Sequence, residues 1–364
     1  MLRNITRRAF LAQAAALPLV AQELKRPAAH TLTVISGTPR ERGRQYGSTF
    51  KDEIQLFLDR EIYAAFTKKA PTREEVLRYG AACAKAIRAY SPEIIEEMEG
   101  MAEGSGLALE ALTVSNLHEE LYYGGVLPKI PHCTAIGAGP PETLDGHAYV
   151  GQTWDWMPSV YGMSRMLHWK RADGPSVLSY AYPGLWAGAG LNSAGIAHAW
   201  TSAHDGKPAG PAVGIPSYVL IAQLLYQKTL EDVVEEARRA THAGWFTFVM
   251  ADGAGRLLNL EGRPGTLAVE WGRGTMVRVG YGSKEMSKSI HGRVKNVNGL
   301  LGAAKGKVDR DVLGRCFADH GGDGRERVCC HPNTIDVMLY DCTAKEAHLS
   351  RGPACDPRWT SFRF

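Results

Sequence analysis

The sequence of 364 residues lacks several features that define common protein classes. Its seven cysteines form no C-x-x-C pair and show no regular spacing, which argues against a zinc site, and no metal or cofactor is expected. It has no dense tract of lysine or arginine, which argues against a nucleic-acid partner. Beyond residue 21, no apolar stretch is long enough to cross a bilayer. Internal repeats and low-complexity segments are also missing.

The apolar run at the amino end predicts an export signal. Residues 1–21 combine a basic start, containing Arg7 and Arg8, with a short run of alanine, leucine and valine. The segment TRRAFL is similar to a twin-arginine signal, which exports folded proteins. We therefore expect a periplasmic or other extracytoplasmic protein with no stable membrane insertion after signal removal; an amphipathic first helix is the alternative. Removing this segment removes three arginines and no acids, so the formal net charge falls from +4 to +1.

Hydrophobic periodicity divides the remaining chain into a helical first third and a strand-rich remainder. Thr72 and Glu75 have capping-box spacing, and Ser91 followed by Pro92 is typical of a helix start. LEALTVSNLHEELYY predicts one further helix, and the charged residues of this third are assigned to solvated faces. From Cys133 the pattern alternates as in strands. Because strands and helices come in blocks without β-α-β alternation, the sequence predicts an α+β layered fold.

Turn signals group the predicted strands into hairpins. CTAIGAG and HAYVGQTWDW flank the turn ETLDG, WFTFVMADGAGRLLNLEG turns at Asp252–Gly255, and IDVMLYDCTAKEAHLSRG closes the chain. SYVLIAQLLYQKTLEDVVEEARRA predicts two helices, the second starting near Thr229. Residues 283–325 are rich in glycine and charge and give no clear pattern.

The segment KIPHCTAIGA, residues 129–138, places a cysteine between a loop and a predicted strand. A buried structural role is one explanation of Cys133. A second is a nucleophile that borrows a base from a distant histidine, as in papain-like enzymes, but that scheme favours a helix after the cysteine. In the third, the bond before Cys133 is cut, and the freed α-amine, with a pKa near ~8, becomes the base for the thiol, with a pKa near ~8.5. A cysteine at the start of a strand fits the third explanation.

Several motifs, in one order, resemble the acyl-coenzyme A:6-aminopenicillanic acid acyltransferase family, whose members are cysteine N-terminal nucleophile (Ntn) hydrolases. GTPRERGRQYGSTFKDEI is similar to the opening helix motif G-T-P-x-E-x-G-x-x-x-G, and EMEGMAEGSGLALEALTVSNLHEEL to the second helical signature. HCTAIGA occupies the cleavage site of the family. GQTWDW, LNSAGIAHAW and GIPSYVLIAQLL match G-Q-x-W-D, N-S-A-G-(V/I)-A and (V/I)-P-S. The resemblance runs from about Ile35 to the C-terminus.

This resemblance implies the architecture of the whole mature chain. The family fold is a four-layer αββα sandwich of two antiparallel sheets between helical layers. Residues 1–21 would be the signal, residues 30–132 the helical α-chain segment, and residues 133–364 the β-chain of the same domain. The oligomeric state stays open.

The resemblance also implies the chemistry. The bond between His132 and Cys133 would be self-cleaved, Cys133 would be the nucleophile, and Asp155 would orient its amine and thiol, with a contribution from Thr134. Attack on a linear amide would give a thioester acyl-enzyme that water or an amine resolves. The expected partner is a small-molecule N-acyl amide substrate.

Three positions depart from the family pattern. Gly280 replaces the asparagine of HTNH that helps hold the oxyanion, Thr201 replaces an asparagine after the N-S-A-G strand, and Cys330 replaces the arginine of I-C-R-H-P. Loss of one oxyanion donor costs about 10²–10³ in rate. The hydroxyls of Thr201 and Tyr281 are candidate replacements, and Trp154 is a candidate substrate contact. The alternative function is a non-catalytic binding protein on a degenerate Ntn fold.

The other histidines and most tryptophans are assigned structural roles. The histidines expected on strand faces or in loops are His198, His204 and His331. The tryptophans expected in the core, with one or two lining an acyl pocket, are Trp154, Trp156, Trp186, Trp200 and Trp245.

Overall fold

The computed structural model describes six ranges of the chain: 26–67, 71–124, 133–202, 212–280, 292–321 and 326–364. The predicted signal and the candidate residues His132, His204 and Tyr281 lie outside these ranges. Within them, no helix combines the length and the apolar character that crossing a membrane requires.

The described ranges contain helices α1–α11 and strands β1–β14, joined by turns and loops. The helices are α1 (Pro39–Thr49), α2 (Lys51–Phe57), which continues through a π-helical turn (Leu58–Tyr63) into α3 (Ala64–Phe66), α4 (Arg73–Tyr90), α5 (Pro92–Ser105), α6 (Leu109–Asn116), α7 (His118–Gly124), α8 (Ser217–Leu225), α9 (Leu230–Arg239), α10 (Gly292–Ala303) and α11 (Arg310–Phe317). The strands are β1 (Leu32–Ile35), β2 (Thr134–Ala138), β3 (Tyr149–Asp155), β4 (Arg165–Trp169), β5 (Val177–Ala181), β6 (Ala189–Asn192), β7 (Ala197–Ser202), β8 (Phe246–Ala251), β9 (Leu257–Arg263), β10 (Thr266–Gly272), β11 (Thr275–Val279), β12 (Thr334–Asp341), β13 (Glu346–Arg351) and β14 (Thr360–Arg363).

The strands form two sheets that pack face to face. One has eight strands in the order β1-β4-β5-β6-β7-β8-β9-β10, and the other has six in the order β11-β2-β3-β12-β13-β14. Strands β2 and β3 contact β7 and β8 across the interface. Helices α8 and α9 cover the outer face of the larger sheet, and α10 and α11 cover that of the smaller one. The predicted four-layer α+β fold is confirmed, with one departure: β1 pairs with β4 in parallel, whereas the other pairs are antiparallel.

The local signals in the sequence correspond to observed helix ends and hairpins. Thr72 caps α4 in a full capping box, and the Ser91 side chain accepts from the amide of Ile94 at the start of α5. The hairpins β2–β3, β8–β9 and β12–β13 are as predicted. The single helix expected in LEALTVSNLHEELYY is wrong, because it breaks at Leu117 into α6 and α7. Helices α10 and α11 lie in the segment that gave no clear pattern.

The assignment of charged residues in the helical third to solvated faces is wrong for its inner positions. Arg42 is buried and donates from Nε to Oε1 of Glu97 at 2.8 Å, and from Nη2 to Glu93 at 2.7 Å. Glu97 also accepts from the indole of Trp186 at 2.8 Å and from the hydroxyl of Tyr226 at 2.9 Å. Burial raises the pKa of Glu97 to about 7. These partners replace the water that the buried charges lose.

Glycines allow α1 and α5 to touch backbone to backbone. A Cβ on Gly43 of α1 would lie 1.9 Å from the carbonyl oxygen of Glu97, and one on Gly100 of α5 would lie 2.2 Å from that of Arg40. Gly47 and Gly104, one turn further along each helix, are equally close to the opposite backbone. The G-x-x-x-G spacing near the start of the chain therefore reflects a contact that no side chain can enter.

Gly43→Ala should destabilise the fold, because the added methyl group overlaps main-chain atoms that cannot rotate away. We expect a loss of about 1–3 kcal/mol in the free energy of unfolding, the usual cost of overpacking, measured by urea denaturation. The matched control is Gly299→Ala in the middle of α10, where a Cβ would meet nothing within 4 Å. That change should be neutral or stabilise by up to about 1 kcal/mol, because alanine has the higher helix propensity. Equal effects of the two substitutions would contradict the close packing of α1 on α5.

Candidate active site

The β2–β3 hairpin brings Cys133 next to Asp155. Thr134 and Thr153 are paired across the two strands, and the Thr134 amide also donates to Oγ1 of Thr153 at 3.1 Å. Cys133 directly precedes β2, and Asp155 is the last residue of β3. The Cys133 thiol lies 3.9 Å from the carbonyl oxygen of Asp155, to which it can donate. A strand rather than a helix follows Cys133, so the helix N-terminus that papain-like activation uses is missing there.

The Cys133 thiol is buried and uncharged. It is 8% exposed, and burial, followed by the negative charge of Asp155, raises its pKa above the ordinary value. A buried neutral thiol is a poor nucleophile until a neighbouring group takes its proton. Any reaction at Cys133 therefore needs a base within reach.

Asp155 is held from two sides by buried partners. Oδ1 accepts from the hydroxyl of Thr334, the first residue of β12, at 2.6 Å, and Oδ2 lies 3.3 Å from Nη1 of Arg293. Burial raises the pKa of Asp155 to about 6, while the charge of Arg293 and the Thr334 hydrogen bond act in the opposite direction. These two partners hold the carboxylate at the end of β3 that lies beside the start of β2, next to Cys133.

Arg293 is the main site residue that the sequence did not predict. It lies in the first turn of α10 and is 1% exposed. Besides Asp155, its Nη1 contacts Oγ1 of Thr134 at 3.4 Å, and its Nη2 lies 2.9 Å from Sγ of Cys330. The resemblance expected an arginine at position 330. Here a guanidinium does lie beside position 330, but it belongs to Arg293 of α10. No local pattern in the glycine-rich segment 283–325 identified Arg293 as a site residue.

Two of the residues proposed for the oxyanion and the substrate, Thr201 and Trp154, lie on strands β7 and β3, which contact each other between the two sheets. Thr201 on β7 is fully buried, and its hydroxyl has no hydrogen-bond partner among the described residues. Trp154 packs among Tyr180, Tyr182 and Trp200, and its indole N–H likewise has no partner in the described part of the chain. Gly280 directly follows β11. No hydrogen bond between described residues joins Thr201 or Trp154 to Cys133, so their roles stay predictions.

The remaining histidine and tryptophan assignments have mixed outcomes. His198 is buried on β7 with its ring 4.5 Å from that of Phe248, and burial lowers its pKa to about 3, so it is a neutral strand-face residue. His331 is an exposed loop residue. Trp156, Trp186 and Trp200 are buried with Trp154, whereas Trp245 is only half-buried and its assignment to the core is wrong.

A second unpredicted group is Glu119 on α7. Its Oε1 accepts from the hydroxyl of Tyr218 at 3.1 Å, and burial, followed by the charge of Glu120, raises its pKa to about 8. When it is ionised, Glu119 in turn raises the pKa of the Cys133 thiol. Glu120 accepts from the amide and the hydroxyl of Ser217 at 2.8 Å, where α8 begins. A carboxylic acid that is largely protonated at neutral pH therefore lies near the cysteine.

Comparison with known proteins connects this geometry to a family. The family model described as acyl-coenzyme A:6-aminopenicillanic acid acyl-transferase matches residues 142–298. Over these residues the chain is similar to this family, as its motifs predicted. The matched residues include Asp155 and Arg293 and begin after Cys133.

Individual relatives are distant. The chain is 24% identical over 230 residues to the acyl-coenzyme A:6-aminopenicillanic-acid-acyltransferase 40 kDa form of Emericella nidulans, a match that covers 63% of this chain and 62% of the relative. The match thus spans less than two thirds of that protein. Among solved structures, penicillin V acylase from Agrobacterium tumefaciens has a TM-score of 0.46 and 13% identity over 64% of this chain and 86% of its own. A variant of conjugated bile acid hydrolase from Clostridium perfringens has a TM-score of 0.41 and 11% identity, over 64% and 97% respectively.

The buried pair of Arg293 and Asp155 predicts a pH-dependent cost for its removal. Burial raises the folded-state pKa of Asp155 to about 6, above its value in the unfolded chain. The folded state therefore favours the protonated carboxyl group. This contribution to the free energy of unfolding is fully present below the ordinary pKa of an aspartate and is lost as the pH rises through about 6. The charge of Arg293 lowers the cost of ionising Asp155 in the folded protein, and Arg293→Gln removes that charge. We expect unfolding measurements to give a cost of about 3–5 kcal/mol at about pH 8, the usual effect of leaving a buried charge unpaired, and a clearly smaller cost at about pH 5.

The matched control is the double variant Asp155→Asn and Arg293→Gln, which leaves no unpaired charge. Its cost should change little between these pH values, because neither replaced side chain titrates. A cost of Arg293→Gln that is equal at both pH values would show that the guanidinium does not stabilise the carboxylate.

Proposed function

We propose that this protein is an exported Ntn-type amidohydrolase or acyltransferase that acts on linear amides through Cys133. Its relationship to the acyltransferase family supports acyl chemistry at an amide. The observation that carries the proposal is the position of Cys133 at the start of β2, with its thiol beside Asp155 and the Asp155 carboxylate held by Arg293 and Thr334. This arrangement suits a cysteine that becomes an N-terminal residue.

The first reaction is self-cleavage of the bond between His132 and Cys133. The Cys133 sulfur attacks the carbonyl carbon of residue 132, a C–S bond forms, and the C–N bond breaks as the leaving nitrogen takes up the thiol proton. Water then hydrolyses the resulting thioester, which releases the carboxylate of residue 132 and restores the thiol. The product is a β-chain beginning at Cys133, with a free α-amine.

In turnover the new α-amine is the base that the buried thiol lacks. It accepts the thiol proton while sulfur attacks the substrate carbonyl, and it returns the proton to the departing amine. The resulting thioester is resolved by water, giving hydrolysis, or by another amine, giving acyl transfer. The Asp155 carboxylate stabilises the α-ammonium form, and its fixed position keeps the amine beside the sulfur.

The oxyanion of the tetrahedral intermediate requires donors that replace the asparagine missing at Gly280. We propose the Thr201 hydroxyl, because it is buried and has no partner among the described residues. The Tyr281 hydroxyl is a second candidate. If neither donates, the departure at Gly280 favours the alternative, a binding protein that keeps the fold without turnover.

Location and substrate follow from the export signal and the family. The twin-arginine-like segment favours an extracytoplasmic site of action, where water is abundant and acyl-coenzyme A is not. Hydrolysis of a small N-acyl amide is therefore the favoured reaction. A panel of N-acyl amino acids, β-lactams and short peptides, with the released amine measured, would identify the acyl and amine groups.

Cys133→Ala should abolish both processing and turnover, because each needs the thiol. We expect intact-mass measurement of the wild type to give a chain of 232 residues beginning at Cys133, and that of the variant to give one uncut chain. The matched control is Cys83→Ala, which removes a buried thiol from α4 and should process normally. Two chains from Cys133→Ala would remove Cys133 from the mechanism.

Asp155→Asn should keep the fold but lose most of the activity. The amide keeps the shape of the side chain but not the charge that favours the correct proton arrangement, and the comparable change in a serine triad costs about 10⁴. We expect processing to fail, or turnover to fall by at least about 10²-fold, while the circular dichroism spectrum stays that of a folded protein. The melting temperature should fall, because the buried guanidinium of Arg293 loses its anionic partner.

The control for this substitution is Asp341→Asn. Asp341 is a buried carboxylate at the opposite end of β12 from Thr334, paired with Tyr149 at the far end of β3. It should leave turnover nearly unchanged. Wild-type turnover in Asp155→Asn would rule out the proposed role of this carboxylate.

A further inference from the structure

Four potential metal ligands lie together in the segments that follow α11, precede β12 and follow β13, outside the candidate active site. They are His320, Cys329, His331 and Cys355, and one donor atom from each lies within 4.8 Å of all the others. The rings of His320 and His331 have centroids 5.3 Å apart and are nearly perpendicular. We propose that this cluster is a structural zinc site.

The set of donors fits zinc in number, type and charge. Two thiolates and two imidazoles are a common tetrahedral set for structural zinc, and two thiolates balance the charge of Zn²⁺. With Zn–S near 2.3 Å and Zn–N near 2.0–2.1 Å, tetrahedral donors lie about 3.3–3.8 Å apart. The widest separation in the cluster therefore has to shrink by about 1 Å. Because four protein ligands fill the tetrahedron, the ion would hold the fold rather than activate water.

The surrounding structure holds one ligand rigidly and leaves three able to adjust. Cys329 is 1% exposed and belongs to the core under α10 and α11, whereas His320, His331 and Cys355 are exposed and can rotate. The carbonyl of Asp319 accepts from the amides of Val328 and Cys329 at 3.1 and 2.9 Å, which fixes the backbone before His320 against the cysteine segment. Two of the three segments that carry the ligands are therefore joined without the ion.

A buried carboxylate oxygen adds an independent sign of an outer partner. Oδ2 of Asp319 has no solvent contact and no hydrogen-bond partner among the described residues, and it is adjacent in sequence to His320. Metal-bound histidines usually donate their second ring N–H to a carboxylate or a carbonyl, which fixes the ring and its tautomer. Asp319 can serve this purpose once His320 binds the ion.

The zinc site would also support the active-site wall. Cys330, between two of the ligands, lies 2.9 Å from Nη2 of Arg293, and its amide donates to Oγ1 of Thr334 at 2.8 Å. Thr334 in turn donates to Asp155. The segment that binds the ion is therefore the segment that holds the partners of Asp155. The expectation of no zinc site rested on spacing along the chain, which does not detect ligands drawn from three segments.

The first test measures metal in the full chain, purified from a reducing cytoplasm without added metal. Mass spectrometry of the metals should give one equivalent of zinc, and intact mass should show no disulfide between Cys329 and Cys355. Replacement with Co²⁺ should give the visible bands of a tetrahedral ion and a thiolate-to-cobalt charge-transfer band in the near ultraviolet. A chelator should lower the Tm, and zinc should restore it.

The second test removes two exposed ligands with His320→Ala and Cys355→Ser. Zinc binding should weaken by more than the about 10- to 100-fold that loss of an outer partner costs, and the chelator should no longer change the Tm. The control, His147→Ala with Cys83→Ala, removes one histidine and one thiol elsewhere and should keep the zinc. A protein that binds no zinc, an octahedral cobalt spectrum, a Cys329–Cys355 disulfide, or zinc retained by the ligand variant would each overturn the proposal. None of these readouts depends on turnover, so an inactive enzyme would not affect the result.

Discussion

The buried contact between Arg293 and Asp155 is the interaction on which the rest of the site depends. It joins three elements from two layers of the protein: α10 supplies the guanidinium, β3 supplies the carboxylate, and Thr334 of the neighbouring strand β12 holds the second carboxylate oxygen. Bringing both charges out of water costs free energy that can exceed what their attraction returns, so the pair need not stabilise the fold more than apolar residues of similar shape would. What it contributes is a single position and charge for the carboxylate beside Cys133. A neutral pair of similar shape would keep the layers together but would leave nothing to hold an ammonium group.

The sequence predicted those parts of the fold that neighbouring residues determine. Helix caps at Thr72 and Ser91 and the hairpin that joins β2 to β3 depend on residues close together in the chain, and they are confirmed. The break at Leu117 was missed because apolar residues continue through it with helical spacing. α10 and α11 were missed because glycine and charge conceal their apolar faces, which pack on β11 and β3.

The candidate site divides in the same way. Cys133 and Asp155 were predicted because motifs surround them, whereas Arg293 meets Asp155 across 138 positions of the chain. A single sequence contains no pattern from which a contact between residues so far apart could be predicted. The buried acids of α5 and α7 were missed for a related reason. An amphipathic pattern separates the charged face of a helix from its apolar face. It does not predict which charged residues become buried against side chains from other elements, as happens here with Trp186, Tyr218 and Tyr226.

The parallel pairing of β1 with β4 has a consequence for the life of the molecule after the proposed cleavage. β1 lies before the cut and β4 after it, and their hydrogen-bonded register joins Leu32 to Met166 and Ile35 to Trp169. The two products would therefore stay together as one body, with a strand of the first chain completing a sheet of the second. Folding of the intact precursor is unimolecular, but reassembly of the separated chains would be bimolecular and would depend on their concentration. After cleavage, a protein that has unfolded and separated would thus refold only if the two chains met again, because neither chain contains all the strands of the larger sheet.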